Sequence, residues 1–163
     1  MHIKLINKKL SFGKYKVKCA IGKRGIYIKK KEGDNVTPKG TFGFRGIFYR
    51  KDRVSKIKTK LKKFIIKKNM GWCDDPRSKY YNKLIRFPFR FSAEKLYIKK
   101  NIYDVILVLD YNFRPVVKYK GSAIFIHIAS KNYSPTKGCV AISKRDIMNL
   151  ISLMSKKSKL TIN

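Results

Sequence analysis

Between Lys14 and Cys19 the chain alternates: Tyr15, Val17 and Cys19 fall on one side, Lys14, Lys16 and Lys18 on the other. A period of two is that of a strand with one buried face. Gly22-Lys23-Arg24-Gly25 then turns into Ile26-Tyr27-Ile28, which predicts a β-hairpin. Beyond a polar loop from Glu32 to Gly40, Phe42, Phe44 and Phe48 are expected on one face of a further strand. The span from Val54 to Lys68 supports two readings: Val54, Ile57, Leu61 and Ile65 approximate helical spacing, whereas Phe64-Ile65-Ile66 suits a short strand. Tyr103 to Asp110 is apolar on both faces, as a central strand is, and Gly121 to Ala129 supplies another. One helix is predicted, starting at Ser143. Its hydroxyl can cap, Asp146 stands three residues on, and Ile147, Leu150, Ile151 and Met154 form an i, i+3, i+4, i+7 stripe. No repeat or linker interrupts the sequence, so a single, mainly β domain over residues 1–163 with a C-terminal helix is expected.

Composition narrows this picture. Hydrophobic residues make up 44% of the 163, with ten Tyr, ten Phe and one Trp, so the chain has the core material that charge-rich disordered sequences lack. No apolar run approaches the roughly 18 residues a spanning helix needs, which excludes a helical membrane protein. Met1 to Phe12 is basic with scattered Ile3, Leu5, Ile6 and Leu10, and shows no signal-peptide segment. Cys19, Cys73 and Cys139 are odd in number and widely spaced, which argues against a disulfide scaffold, and neither a C-x-x-C pair nor clustered histidines suggest zinc.

The charge is the most extreme property: 41 Lys+Arg against 9 Asp+Glu leave +32. Thirty-two of the cations are Lys, spread along the whole length, whereas bidentate phosphate clamps and base readers favour Arg. Ile occurs twenty times and Ala five, a bias that fits AT-rich coding and a surface set by composition. Non-specific attraction of anionic polymers follows from the charge in either case, and leaves a non-enzymatic polyanion-binding module as one reading.

The chemistry concentrates late in the chain. In Gly121 to Ala129, Ile124, Ile126 and Ile128 point one way and Phe125, His127 and Ala129 the other; twelve residues after His127 comes Cys139, preceded by Thr136, Lys137 and Gly138. A free thiol is mostly protonated at neutral pH, and a neighbouring imidazole can take its proton. Gly138 permits close approach of a reacting carbonyl, and amides about the Gly138-Cys139 turn suit an oxyanion hole. Lys137 would add a positive field beside the thiol. A satisfied core histidine and a buried thiol would show the same spacing.

His127 followed by Thr136-x-Gly138-Cys139-Val140 resembles the signature of L,D-transpeptidases of the YkuD type. Gly33-Asp34-x-x-Thr37-Pro38-x-Gly40-x-Phe42 is similar to an earlier motif of that family. Tyr49-Arg50, Asp52-Arg53, Gly71 to Pro76, Tyr81-Asn82 and Gly121 to Phe125 resemble its ErfK/YbiS/YcfS/YnhG-like branch. The resemblance spans roughly Gly22 to Leu153. It implies a β-sandwich-like catalytic domain, Cys139 as nucleophile, His127 as base oriented by a backbone carbonyl, and peptidoglycan stem peptides as partners. It implies a thioester acyl-enzyme resolved by an amine or by water, no cofactor or metal, a monomer, and a periplasmic or cell-envelope location; without a visible signal peptide a cytoplasmic one stays open. Lys137 stands where many members carry His, and Ala141 where a polar residue is frequent, which leaves hydrolysis by an L,D-carboxypeptidase or amidase as an alternative to transfer. Arg50, Trp72, Asp74, Thr136 and Lys137 complete the expected substrate-binding set, while Asp34 and Thr37 are expected to shape a turn.

Overall fold

The computed structural model describes residues 1–163. In chain order the strands are β1 (His2–Ile6), β2 (Lys9–Phe12), β3 (Tyr15–Lys18), β4 (Ile26–Tyr27), β5 (Thr37–Pro38), β6 (Gly40–Phe42), β7 (Phe44–Tyr49) and β8 (Lys63–Ile65). They continue with β9 (Met70–Cys73), β10 (Leu84–Arg86), β11 (Ala93–Lys95), β12 (Val105–Leu109), β13 (Phe125–Ile128), β14 (Val140–Ile142) and β15 (Lys159–Ile162). The helix α1 (Lys144–Leu153) lies between the last two. The expected mainly β architecture with one late helix is what is found.

Two five-stranded sheets and a three-stranded one carry the fold, in the orders β3-β2-β1-β15-β6, β14-β13-β12-β7-β8 and β10-β9-β11. The second sheet is shared between two apolar layers. Its Val105, Leu107, Ile124, Ile126 and Ile142 face Ile3, Leu5, Leu10, Leu160 and the helix stripe Ile147, Leu150, Ile151 and Met154. Its opposite face presents Phe48, Ile106, Val108 and Phe125 to Met70, Trp72 and Leu96 of the three-stranded sheet side. β12 lies in the middle, all five residues buried, as its unbroken apolar run predicts.

The helix begins as read: the Ser143 hydroxyl accepts the Asp146 amide at 3.1 Å and donates to the Asp146 carboxylate at 2.6 Å. The span from Val54 to Lys68 contains no helix; the only regular element there is β8, paired parallel to β7. Two expectations need correction. β3 and β4 do not form a hairpin: β3 pairs with β2, and β4 runs parallel to β5. The hairpin is instead β1 and β2, which the sequence reading passed over, with Ile3, Leu5, Leu10 and Phe12 buried and the strands joined by Asn7 and Lys8 at φ 49° and 58°, a two-residue turn of the kind hairpins favour. Nor do Phe42, Phe44 and Phe48 share a face. Phe42 belongs to the first sheet, and in β7 the pairing of Val108 with Gly46 and of Leu109 with Phe44 leaves Arg45 as a bulge. That extra residue sends Phe44 to the larger core and Phe48 to the smaller one. Gly46 sits there at φ +146°, where an added Cβ would lie 2.9 Å from Lys62 O.

Candidate active site

His127 is delivered by β13, where it pairs with Ile106 of β12 and Ala141 of β14. Its backbone position is therefore fixed on both sides. The ring is 7% exposed, stands edge-on to Tyr103 at 5.3 Å between centroids, and holds Nδ1 3.0 Å from Ile128 O. A carbonyl can only accept, so Nδ1 carries the proton and Nε2 is left with its lone pair. Burial lowers the pKa of His127 below its ordinary 6.5, with the Ile128 carbonyl opposing in part, so the imidazole is neutral at pH 7.

Cys139 ends the loop that precedes β14 and is partly exposed, unlike the buried Cys19 and Cys73. Its thiol donates to Ala123 O at 3.2 Å and accepts the Phe125 amide at 3.4 Å. Desolvation, followed by the Glu94 carboxylate, pushes it up to about 12; the Phe125 amide and Lys29 act the other way. The resting pair is a neutral thiol and a neutral imidazole. Cys19, 2% exposed, is also raised by burial to about 12.

The thiol loop is held by segments far away in sequence. Thr136 N donates to Ile21 O, Lys23 N to Thr136 O, and Ala20 bridges Ala141. The Thr37 hydroxyl donates to Gly138 O at 2.9 Å and accepts the Gly22 amide at 2.7 Å. Asp34 shapes the turn before it. Burial would raise its pKa, but the ammonium of Lys29 and the amides of Val36, Lys31 and Lys30 outweigh this and hold it below the usual range. Gly138 adopts φ +142° with Val36 O 2.9 Å from where a Cβ would stand, so only glycine fits the turn. Its amide is engaged by Thr136 Oγ1 at 3.1 Å, and that hydroxyl donates to Cys139 O at 2.6 Å. Gly138 therefore shapes the turn, and its amide, expected as one of a donor pair, is engaged within the loop. The Cys139 amide makes no hydrogen bond within the chain and is the available donor.

His127, Cys139, Thr136, Lys137, Gly138 and Asp74 all line one cleft. Its volume is about 730 Å³, enough for a short peptide segment. Two of the expected binding residues lie elsewhere. Arg50, 4% exposed, is held bidentately by Asp52 at 2.8 and 2.6 Å, donates to Ile98 O and stacks over Tyr97, so its fork is already used. Trp72, 3% exposed, packs edge-on against Phe125 and Phe48 and donates to Asn82 Oδ1 at 2.9 Å. Lys137 lines the cleft, where its charge opposes the rise of Glu94, and the charge of Lys29 opposes the rise of the thiol. Glu32, Glu94, Tyr103 and Ser122 are cleft residues that the sequence did not single out. Glu94 and Glu32 accept hydrogen bonds from the hydroxyls of Tyr103 and Tyr81. No group of three or more His, Cys, Asp or Glu is placed to hold a metal ion.

A model of the YkuD L,D-transpeptidase catalytic domain matches residues 5–162, nearly the whole chain. The chain belongs to that family. Comparison with curated proteins and with solved structures finds no match. The YkuD membership accords with the layered β architecture and the single late helix, and no helix is long and apolar enough to cross a membrane.

Proposed function

We propose that this YkuD-family chain is a cysteine-dependent L,D-transpeptidase acting on peptidoglycan stem peptides, and that residues 1–163 form one catalytic domain. One observation carries the reading: the partly exposed thiol and the neutral imidazole open onto the same peptide-sized cleft. Because burial disfavours a standing thiolate, proton removal accompanies attack. Cys139 Sγ adds to the scissile carbonyl while its proton passes to His127 Nε2. The oxyanion takes the Cys139 amide, a contact of a kind typically worth about 2.7–4 kcal/mol of barrier. Collapse breaks the C–N bond, His127 returns the proton to the departing amine, and a thioester on Cys139 remains. An incoming amine then gives the cross-linked amide, or water gives the free acid; product analysis with and without an added acceptor separates transfer from hydrolysis.

Intact-mass measurement after incubation with a stem tetrapeptide tests this. The wild-type chain gains the acyl mass on Cys139, and Cys139→Ala gains none while keeping its circular dichroism spectrum. Product formation by Cys139→Ala at the wild-type rate would remove the proposal, and leave salt-sensitive binding of anionic polymers, indifferent to Cys139, as the reading that the charge supports.

A further inference from the structure

The cleft departs from the charge balance of the chain. Three of the nine acids, Glu32, Asp74 and Glu94, line it, against three of the 41 cations, Lys29, Lys100 and Lys137, and Lys29 is already paired with Asp34. A surface set by composition alone would not gather its scarce carboxylates there.

Two atoms within this group lack partners. Asp74 Oδ1 is shielded from solvent and accepts no hydrogen bond, although the chain has 41 cations. Ser122, 5% exposed and lining the same cleft, lies near the Tyr81 hydroxyl, yet no group completes a hydrogen bond to its Oγ. Buried polar atoms without partners are uncommon and await a donor from outside. The fold places them together. Ala93 pairs with Cys73, and the Asp74 amide donates to Ser92 O, so Asp74 and Glu94 share one face of adjacent antiparallel strands. Asn82 links them to the next segment, its amide donating to Cys73 O and its Oδ1 accepting the Ala123 amide. Ala123 O in turn receives the Cys139 thiol.

We propose that Asp74, Glu94 and Ser122 form a subsite for a primary ammonium on the acyl-donor peptide, beside the carbonyl that Cys139 attacks. This rests on the thioester reading for the identity of the peptide. A primary ammonium offers three N–H donors, and the site offers three acceptors. A metal ion lacks the ligand set here. An attacking amine must be neutral, whereas carboxylates favour its protonated form, so the subsite recognises the donor and does not activate an acceptor.

The test uses two stem tetrapeptides, one with a free second amine on its third residue and one with that amine acetylated. Calorimetric binding to the intact Cys139→Ala chain judges the subsite. The free-amine peptide binds at least about tenfold more tightly, roughly 1.4 kcal/mol. Asp74→Asn lowers it to the acetylated peptide's affinity and leaves the acetylated peptide unchanged, which also shows that the variant is folded. Should Asp74→Asn not fold, Ser122→Ala serves instead and narrows the gap several-fold. Equal affinities, no binding of either peptide, or a gap that survives the substitution overturns the subsite. Acylation of the wild-type chain judges the parent reading separately. An adduct formed equally with both peptides removes the subsite alone, whereas discrimination in binding with no adduct removes the thioester alone.

Discussion

A thiol raised to about 12, in one cleft with an imidazole lowered by burial, holds almost no thiolate at neutral pH. Alkylation of Cys139 by iodoacetamide should therefore climb tenfold per pH unit from 7 to 10, with no plateau near the ordinary thiol value of about 8.5. Mass-resolved labelling checks this; a plateau at pH 7 would mean that a standing ion pair exists. His127 also links stability to acidity. Its folded pKa lies below the 6.5 of the exposed group, so the unfolded chain binds the proton first, and stability is lost as pH falls from 6.5 through the lowered value. Thermal melts from pH 7.5 to 5 should show this loss in the wild type and not in His127→Asn. Asp34 and Asp52, held low, contribute losses only below their ordinary 3.8 and so do not blur that window. His127 and Cys139 stood out in the sequence through the resemblance to the YkuD signature and not through their spacing, which a core histidine and a buried thiol would share, and the structure places both on one cleft. The places of Arg50 and Trp72 were not legible, since an arginine or a tryptophan serves a core as readily as a cleft, and only the positions of Asp52 and Asn82 decide between them. Glu94 left no local mark, because its place follows from pairing with a distant strand, and Ser122 was visible only as part of the Gly121 to Phe125 motif.

At the level of elements, local signals were reliable and partner choice was not. The cap at Ser143 and the full burial of β12 needed only neighbouring residues. The pairing of β4 with β5 depended on the Asp34 turn, and the split between Phe44 and Phe48 depended on a bulge that no alternation rule announces. The thiol loop shows the same dependence on distant chain. Gly138→Ala would set a Cβ against Val36 O in a φ that side chains rarely adopt, and the strain, about 1–3 kcal/mol, falls on the turn that aims the sulfur. The expected outcome is a melting temperature lowered by several degrees and acylation reduced by more than tenfold, read by calorimetry and by adduct mass.

For the whole molecule, β15 lies between β1 and β6 and joins the two with chain from the opposite end of the sequence. Removing residues 159–163 takes away the fully buried Leu160 and Ile162, leaves β6 without a partner and leaves β1 paired to β2 alone. Loss of each such side chain costs about 2–5 kcal/mol, which together rivals the 5–15 kcal/mol that holds a domain folded. The truncated chain should show no cooperative melt by circular dichroism; a sharp transition would mean that the first sheet stands without β15. The sheet that carries His127 has a different kind of exposure to change. Val105, Leu107 and Leu109 of β12 look into one oily layer while Ile106 and Val108 look into the other. A wall shared by two rooms passes on the disturbance of either. Reshaping a leucine on the side remote from any peptide can thus retune how firmly the imidazole stands, and selection or engineering for altered turnover can work there without touching a single group that meets the substrate.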